Sequence, residues 1–284
     1  MPPVFKEPFI LFHTLKRWVF DMVERVTITI KRELLKKIDS MIDGKAVKNR
    51  SHAIEQLILK SSVVDTAIIL AGGKARINGK AIPKALIRIH KLPVIVHQIN
   101  MLKRNSIMNI FILTDSKEAT KYIDSLSTNE IKPECMLEKM PLGTAGPMKL
   151  AEDKIRGTFV LLNVDTLMEP DIKAIADFHL KHGTIGTVLL ATTDRPSSFG
   201  VVRMQGSQIT DFVEKPRIKE ARLFNAGLCV FEPSVLKYIR GRMMIEQLFS
   251  QLAKDRQLSG FVYDGSVLDV GTQDGYEKAR LWKL

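Results

Sequence analysis

A glycine pair, two lysines and two aspartates carry the chemistry this sequence can do. An apolar run beginning at Thr66 ends in Gly72-Gly73, where missing side chains let backbone amides come close to a nucleotide phosphate. Nine residues, 74–82, then lead to Pro83-Lys84, which presents an ammonium on a proline-stiffened segment. Farther along, Asp165 follows the run VLLNV, Lys215 precedes Pro216, and Asp269 follows SVL. Taken singly, each aspartate is an ordinary loop carboxylate or helix cap, and Lys215 a solvated turn residue. Taken together they offer oxygen ligands for a hard cation such as Mg²⁺ and positive charge for anionic substrates, the requirements of phosphoryl chemistry.

Such groups need a scaffold that gathers them. After a short polar hinge at 61–65, strand-like and helix-like stretches alternate: strand 66–71, helix 94–104, strand 108–114, helix 116–125, strand 158–164, helix 171–181. The alternation predicts an α/β fold with a doubly wound, mostly parallel sheet. Ligands in such sheets sit beyond the carboxyl ends of the strands, where Gly72-Gly73, Asp165 and Asp269 all fall. Residues 200–202, 209–213 and 228–231 read as shorter strands that could run antiparallel and cover one end of the sheet.

A different pattern precedes this domain. Residues 25–31, RVTITIK, alternate strictly, with Val26, Ile28 and Ile30 on one face and Arg25, Thr27, Thr29 and Lys31 on the other, as in a half-buried strand. RELLKKIDSMI repeats apolar residues at helical spacing up to Gly44, and Ser51 opens a second helix as its cap. One strand and two helices in about forty residues cannot close a core alone, so the strand needs a partner from a second chain. The segment resembles the ribbon-helix-helix DNA-binding family over residues 25–60. That resemblance implies a homodimer whose paired strands face duplex DNA through Arg25, Thr27, Thr29 and Lys31, with Ser51 and nearby amides on a phosphate. Nine Lys or Arg against four Asp or Glu across 25–60 suit a polyanion; the alternative is a dimerisation clip with a solvated polar face.

Composition sets the limits. The chain has 284 residues, 45% of them hydrophobic, and a formal charge of +12, with mean hydropathy +0.01. These values describe a water-soluble globular chain with an affinity for polyanions. The apolar opening FILFHTLKRWVFDMV is broken by Lys16, Arg17 and Asp21, so no membrane span is expected. It also lacks the small-residue cleavage site of a secretory leader. Cys135 and Cys229 lie in strand-like contexts, PECML and GLCVF, without metal spacing; they read as core thiols of a reducing, cytoplasmic compartment. The organisation expected is an extension at 1–24, the small module at 25–62 and the large domain at 63–284.

From residue 66 onward the ordered motifs resemble the sugar-1-phosphate nucleotidyltransferases, whose signature runs Leu-Ala-Gly-Gly, a Gly-Thr-Arg turn and Pro-Lys. The matching stretches are Leu70-Ala71-Gly72-Gly73 with Pro83-Lys84, Pro141-Leu142-Gly143-Thr144-Ala145-Gly146, Asn163-Val164-Asp165 and Phe199-Gly200-Val201-Val202. Val213-Glu214-Lys215-Pro216, Asn225-Ala226-Gly227 and Asp269-Val270-Gly271-Thr272 continue the series. The Pro141 stretch is especially similar to the version in mannose-1-phosphate guanylyltransferases. The resemblance implies a Rossmann-like nucleotide-diphospho-sugar transferase fold and formation of an NDP-sugar and pyrophosphate from an NTP and a mannose- or glucose-1-phosphate-like substrate. It assigns Mg²⁺ to Asp165 and Asp269, phosphate contacts to Arg76, Lys84 and Lys215, and the nucleotide to Leu70, Ala71, Gly72, Gly73, Gly143 and Thr144. The sugar phosphate falls to Gly200, Glu214, Lys215, Asn225 and Gly227.

Three departures mark this chain. The 74–82 loop is about three residues shorter than the family's, Lys74-Ala75-Arg76 stands in for Gly-Thr-Arg, and Val164 replaces the glycine before the aspartate. The chain also stops about a dozen residues past Thr272, so the C-terminal β-helix of some relatives is not expected. A second reading follows from the altered loop: a transcriptional regulator whose enzyme-like domain senses nucleotide or sugar phosphate without turnover.

Overall fold

The structure, a computed structural model, describes residues 25–61, 64–126, 132–193, 200–214 and 223–282. Predicted site residue Lys215 lies outside them. The chain divides into two compact units, Met1–Leu57 and Ile58–Leu284.

In the first unit, helix α1 (Arg32–Asp39) buries Ile38 and stops at Ser40, short of the expected Ile42. The turn that follows is held by Asp43, whose carboxylate accepts from the Lys45 and Val47 amides. Helix α2 (Arg50–Ser61) begins two residues earlier than a Ser51 cap implies. Its cap is Asn49, whose side-chain oxygen accepts from the His52 amide at 2.9 Å, so Ser51 lies inside the first turn and is not the cap. Arg50 grips Asp39 with two bonds of 2.6 and 2.9 Å, tying the end of α1 to the start of α2. Residues 25–31, expected as a strand, form no ladder with any of the described residues. Their predicted apolar face is open: Val26 is 73% and Ile28 54% exposed.

The second unit begins with β1 (Thr66–Leu70), a hairpin of β2 (Lys74–Ile77) and β3 (Lys80–Pro83), a smaller hairpin of β4 (Arg88–Ile89) and β5 (Leu92–Pro93), and α3 (Val94–Arg104). Next come β6 (Asn109–Thr114), α4 (Lys117–Asp124), β7 (Glu134–Leu137), β8 (Phe159–Asn163), β9 (Thr166–Leu167) and α5 (Ile172–His182). The remainder comprises β10 (Gly186–Thr192), β11 (Gly200–Gln205), β12 (Gln208–Glu214), β13 (Leu223–Phe231), α6 (Ile245–Lys254), β14 (Leu258–Val262), β15 (Leu268–Asp269) and α7 (Gln273–Leu281).

Nine strands make one sheet in the order β10-β14-β12-β11-β13-β8-β1-β6-β7. The half built from β8, β1, β6 and β7 is parallel, as its continuous apolar runs require. The other half is chiefly antiparallel, so the sheet is mixed rather than mostly parallel. The cause is local: β11 and β12 are joined only by Gly206 and Ser207, and a two-residue link can connect only antiparallel neighbours. Both faces are covered. Ala67 and Ile69 enter a core with residues of α3, α4, α5 and α7, whereas Ile68 enters a second core with Leu248, Phe249 and Leu252 of α6. Ser116 and Asp171 cap α4 and α5 by accepting from the Ala119 and Ala174 amides, and Gly183 in the left-handed region ends α5. Cys229 is buried and Cys135 half-buried, both free thiols. Among the described residues no helix is long and apolar enough to cross a membrane.

Candidate active site

The segment expected to be a shortened phosphate loop is a β-hairpin. Asn78 and Gly79 both adopt positive φ, 49° and 77°, which gives the tight turn whose twist matches two antiparallel strands. The ladder runs Lys74 opposite Pro83 through Ile77 opposite Lys80. One step further the Lys84 amide donates to the Gly73 carbonyl at 3.1 Å. Pairing thus excludes residues 74–83 from the cleft and returns Lys84 to the side of the glycine pair. Ala75 and Ile77 point into the core, while Arg76 is exposed and donates to the Gly79 carbonyl at the hairpin's own tip. The tip is fastened to α7 by Gln273, which accepts from the Asn78 amide and donates to its side chain.

Lys84 meets the aspartates. Its Nζ lies 2.7 Å from Asp165 Oδ2. Asp165 occupies the turn from β8 to β9; Asp269 ends β15, whose short ladder with β9 sets Asp269 opposite Thr166. The Val270 amide donates to the Asp165 carbonyl at 2.8 Å, completing the junction. Burial works against the Lys84 charge, but Asp165 and then Asp269 outweigh it and hold the ammonium above the usual lysine range. Burial first, and the Asp165 charge second, push the Asp269 carboxyl up. Val164, in the glycine's place, causes no obstruction: its side chain is buried in the core beneath the turn.

The two carboxylates converge because Gly271 has no side chain. A Cβ there would stand 2.8 Å from Asp165 Oδ2 and 3.1 Å from Asp269 Oδ1. Two hard oxygen donors drawn together against their mutual repulsion fit Mg²⁺, which takes one or two carboxylates and fills its remaining positions with water and phosphate oxygens. Among the described residues no group of three or more His, Cys, Asp or Glu is placed to hold a metal by itself.

Around this centre opens a cleft of about 760 Å³. Gly143 and Thr144 form part of its wall. Gly143, at φ +83°, leaves no room for a side chain: a Cβ would come 2.4 Å from the Met243 carbonyl oxygen. That carbonyl accepts from the Ala145 and Gly146 amides, and Thr144 Oγ1 accepts from the Ile245 amide, so the wall is stitched to the start of α6.

Of the residues chosen from sequence, Leu70, Gly72, Gly73, Lys84, Gly143, Thr144, Asp165, Asn225, Gly227 and Asp269 line the cleft. Ala71 is fully buried beneath it. Arg76, Gly200 and Glu214 are not among the described residues of its lining; Gly200 pairs with Glu214 at the beginning of the β11–β12 hairpin. Residues not singled out from sequence also contribute: Asp115, Glu138, Asn163 and Arg242. Asp115 and Glu138 directly follow β6 and β7, so applying the strand-end rule to every strand would have marked both. Gln98, 2% exposed, was missed as well; its amide donates to the carbonyls of Val164 and Thr166, on either side of Asp165.

The sequence pattern of the nucleotidyl transferase family matches residues 66–282, which contain this whole cleft. The chain belongs to the nucleotidyl transferase family. Among family relatives, mannose-1-phosphate guanyltransferase of Aspergillus oryzae is 36% identical over 221 residues, covering 72% of this chain and 60% of its own length. Mannose-1-phosphate guanylyltransferase 1 of Arabidopsis thaliana is 33% identical over 224 residues, covering 74% of this chain and 62% of its own. The chain therefore spans about 60% of the length of the curated relatives it matches. A Bacillus anthracis protein described as a glucose-1-phosphate thymidylyltransferase superposes with a TM-score of 0.69 at 25% identity, over 76% of this chain and 94% of that one.

Proposed function

We propose that the chain is a sugar-1-phosphate nucleotidyltransferase, joining an NTP and a mannose- or glucose-1-phosphate-like substrate into an NDP-sugar with release of pyrophosphate. The observation that carries this reading is the meeting of Lys84, Asp165 and Asp269 beside the bare Gly72-Gly73 backbone. GTP and mannose 1-phosphate are the first pair to test, because the relatives named above are mannose-1-phosphate guanylyltransferases.

A phosphate oxygen of the sugar 1-phosphate attacks the α-phosphorus of the NTP; the new P–O bond forms as the bond to the β-phosphate bridging oxygen breaks, and the electron pair leaves with pyrophosphate. Both reactants are anions, so the protein's task is alignment and charge neutralisation. Lys84 holds phosphate oxygens next to the reacting phosphorus. Gly72 and Gly73 let the nucleotide approach the backbone, and Gly143 with Thr144 forms part of the cleft wall. Asn225 and Gly227 border the hexose, along with Gly200 and Glu214 from the neighbouring hairpin. Lys215 takes the sugar phosphate, a role that rests on the family motif. Mg²⁺ bound by Asp165 and Asp269 would supply further positive charge to the phosphate oxygens.

The first unit adds a second activity in this reading. Its open Val26 and Ile28 face pairs with the same face of another copy, giving a homodimeric ribbon-helix-helix module. Arg25, Thr27, Thr29 and Lys31 meet base edges of duplex DNA, and Ser51 in the first turn of α2 meets a phosphate.

Pyrophosphate release measured with Mg²⁺ across the common NTPs and hexose 1-phosphates tests the enzyme. Saturable nucleotide binding without turnover would instead support a regulator that senses nucleotide, the reading favoured by an Arg76 held at the hairpin tip. A gel shift on duplex DNA at varied salt tests the module, since phosphate contacts weaken steeply as salt rises; no shift at low salt reduces it to a dimer clip.

A further inference from the structure

Two segments far apart in sequence deliver the charged groups of the cleft, and one exposed side chain ties them together. The first is the 74–83 hairpin, which ends at Lys84. The second is the turn that carries Asp269 into α7. Asp269 and that helix start form one unit: the Thr272 hydroxyl donates to the Asp269 carbonyl at 2.9 Å, and a side chain on Gly275 would collide with the same oxygen. Gln273 is the first residue of α7. Its Oε1 accepts from the Asn78 amide at 2.8 Å, and its Nε2 donates to Asn78 Oδ1 and to Glu277 Oε1, both at 2.9 Å. Both N–H groups of the side-chain amide are thereby committed. Glu277 lies one turn along α7 and accepts from Arg280 at 3.1 Å. Gln273 is thus oriented by its own helix and grips the hairpin at the residue that makes its turn.

The hairpin sends nothing else to the reaction. Of residues 74–84 only Lys84 lines the cleft, and Gln273 is outside the lining. What the hairpin contributes is therefore the place where it sets Lys84. We propose that Gln273 is a positioning residue: by clasping Asn78 it fixes the hairpin to the helix that follows Asp269, and so sets Lys84 against the Asp165–Asp269 pair. The role rests on the nucleotidyltransferase reading above and adds a residue that acts on the reaction without touching substrate. A hairpin free at its tip can pivot about its base, and a misplacement of about 1 Å at a reacting group costs up to about a hundredfold in rate. Ala75 and Ile77, buried in the core, limit the pivot, so the loss here is smaller.

The test compares Gln273→Ala and Lys84→Met, singly and together, in the full-length protein. With the NTP and hexose 1-phosphate it turns over, Gln273→Ala is expected to lower kcat/KM for the NTP about tenfold and to leave KM for the sugar phosphate within about twofold. In the slower Lys84→Met protein the same change should add nothing, because the group it positions is already gone. Asn78→Asp keeps both the turn and an acceptor for Gln273 Nε2, and should retain turnover. Gln273→Ala that lowers kcat/KM by one common factor in both backgrounds overturns the proposal, as does a change in melting temperature with turnover intact. Calorimetric binding of ATP, GTP, CTP and UTP reads the same coupling without turnover. If Gln273→Ala weakens the tightest-bound of the four only where Lys84 is present, the clasp stands even when no product forms, and the enzyme reading alone is removed. Equal weakening in both backgrounds, or no binding of any of the four, overturns the clasp.

Discussion

Lys84 Nζ and Asp165 Oδ2 stand 2.7 Å apart, brought together by a hairpin ladder on one side and a strand-end turn on the other. Lys84 is the cation that permits Asp165 and Asp269 to share one site. Lys84→Met is expected to lower turnover by about a hundredfold or more, the scale for losing one preorganised charge contact to a transition state. It should also lower the melting temperature, because two converging carboxylates lose their counter-charge. Adding Asp269→Asn should restore part of the melting temperature and none of the turnover. Thermal melts and steady-state rates on the two single variants and the double variant check the coupling.

Asp269 gives the pH dependence its sign. Its carboxyl is raised above the ordinary value of 3.8, by burial first and by Asp165 second. A carboxyl that holds its proton more tightly in the native state favours folding below its unfolded pKa, and that advantage is lost as pH rises through the native pKa. Asp269→Asn should therefore melt above the unmodified protein near neutral pH, with the gap closing as pH falls through the acidic range. Turnover requires the ionised form, so the rate should fall toward acid pH. Melts and kcat/KM across pH test both; an Asp269→Asn protein that melts lower at neutral pH contradicts the argument.

The parallel half of the fold was legible because strands buried on both faces must be continuous apolar runs, as in TAIIL, NIFILT and FVLLN. Helix α3 was legible to the residue, opening directly after Pro93. The 74–83 hairpin was missed although Asn78-Gly79 is the strongest short hairpin signal; the glycines at 72 and 73 directed the reading toward a loop, so Arg76 was placed in the cleft. Strands β9 and β15 have two residues each, too few to leave a periodic trace, yet their pairing brings Asp269 to Asp165. The identities of both aspartates could be read from sequence, but the contact that joins them is made by residues about a hundred positions apart.

Gln98 is expected to act as a positioning residue. Its buried amide holds the carbonyls flanking Asp165. Gln98→Leu keeps the volume but leaves those acceptors unpaired, a cost of about 1–3 kcal/mol in stability. If Gln98 sets the angle of Asp165, the Mg²⁺ concentration for half-maximal rate should rise about tenfold, as for a lost outer-shell partner of a metal ligand, with little change in KM for the sugar phosphate. A melt shift with an unchanged Mg²⁺ requirement would assign Gln98 to packing alone.

The two small hairpins of the second unit make the same kind of turn with different residues. Asn78-Gly79 suits it; His90-Lys91 does not, for both have side chains and both sit at positive φ, 46° and 71°. Such a residue outside glycine costs about 1–2 kcal/mol in the left-handed region. His90 has a compensating contact, its Nε2 lying 2.7 Å from the Trp282 carbonyl. Among the described residues Lys91 contributes only a backbone carbonyl, which accepts from Arg88 at 2.8 Å and survives any substitution. Lys91→Gly should relieve the strain, partly offset by about 0.4–1 kcal/mol of extra freedom in the unfolded chain. The net expectation is a protein more stable by about 0.5 kcal/mol, a rise in melting temperature of roughly 1–2 °C, with unchanged kinetics since Lys91 is outside the cleft lining. His90→Gly should gain less or lose stability, because it gives up the Trp282 bond. Calorimetry on the two variants would distinguish strain at Lys91 from a turn that tolerates either residue, in which case Lys91→Gly would melt below the unmodified protein.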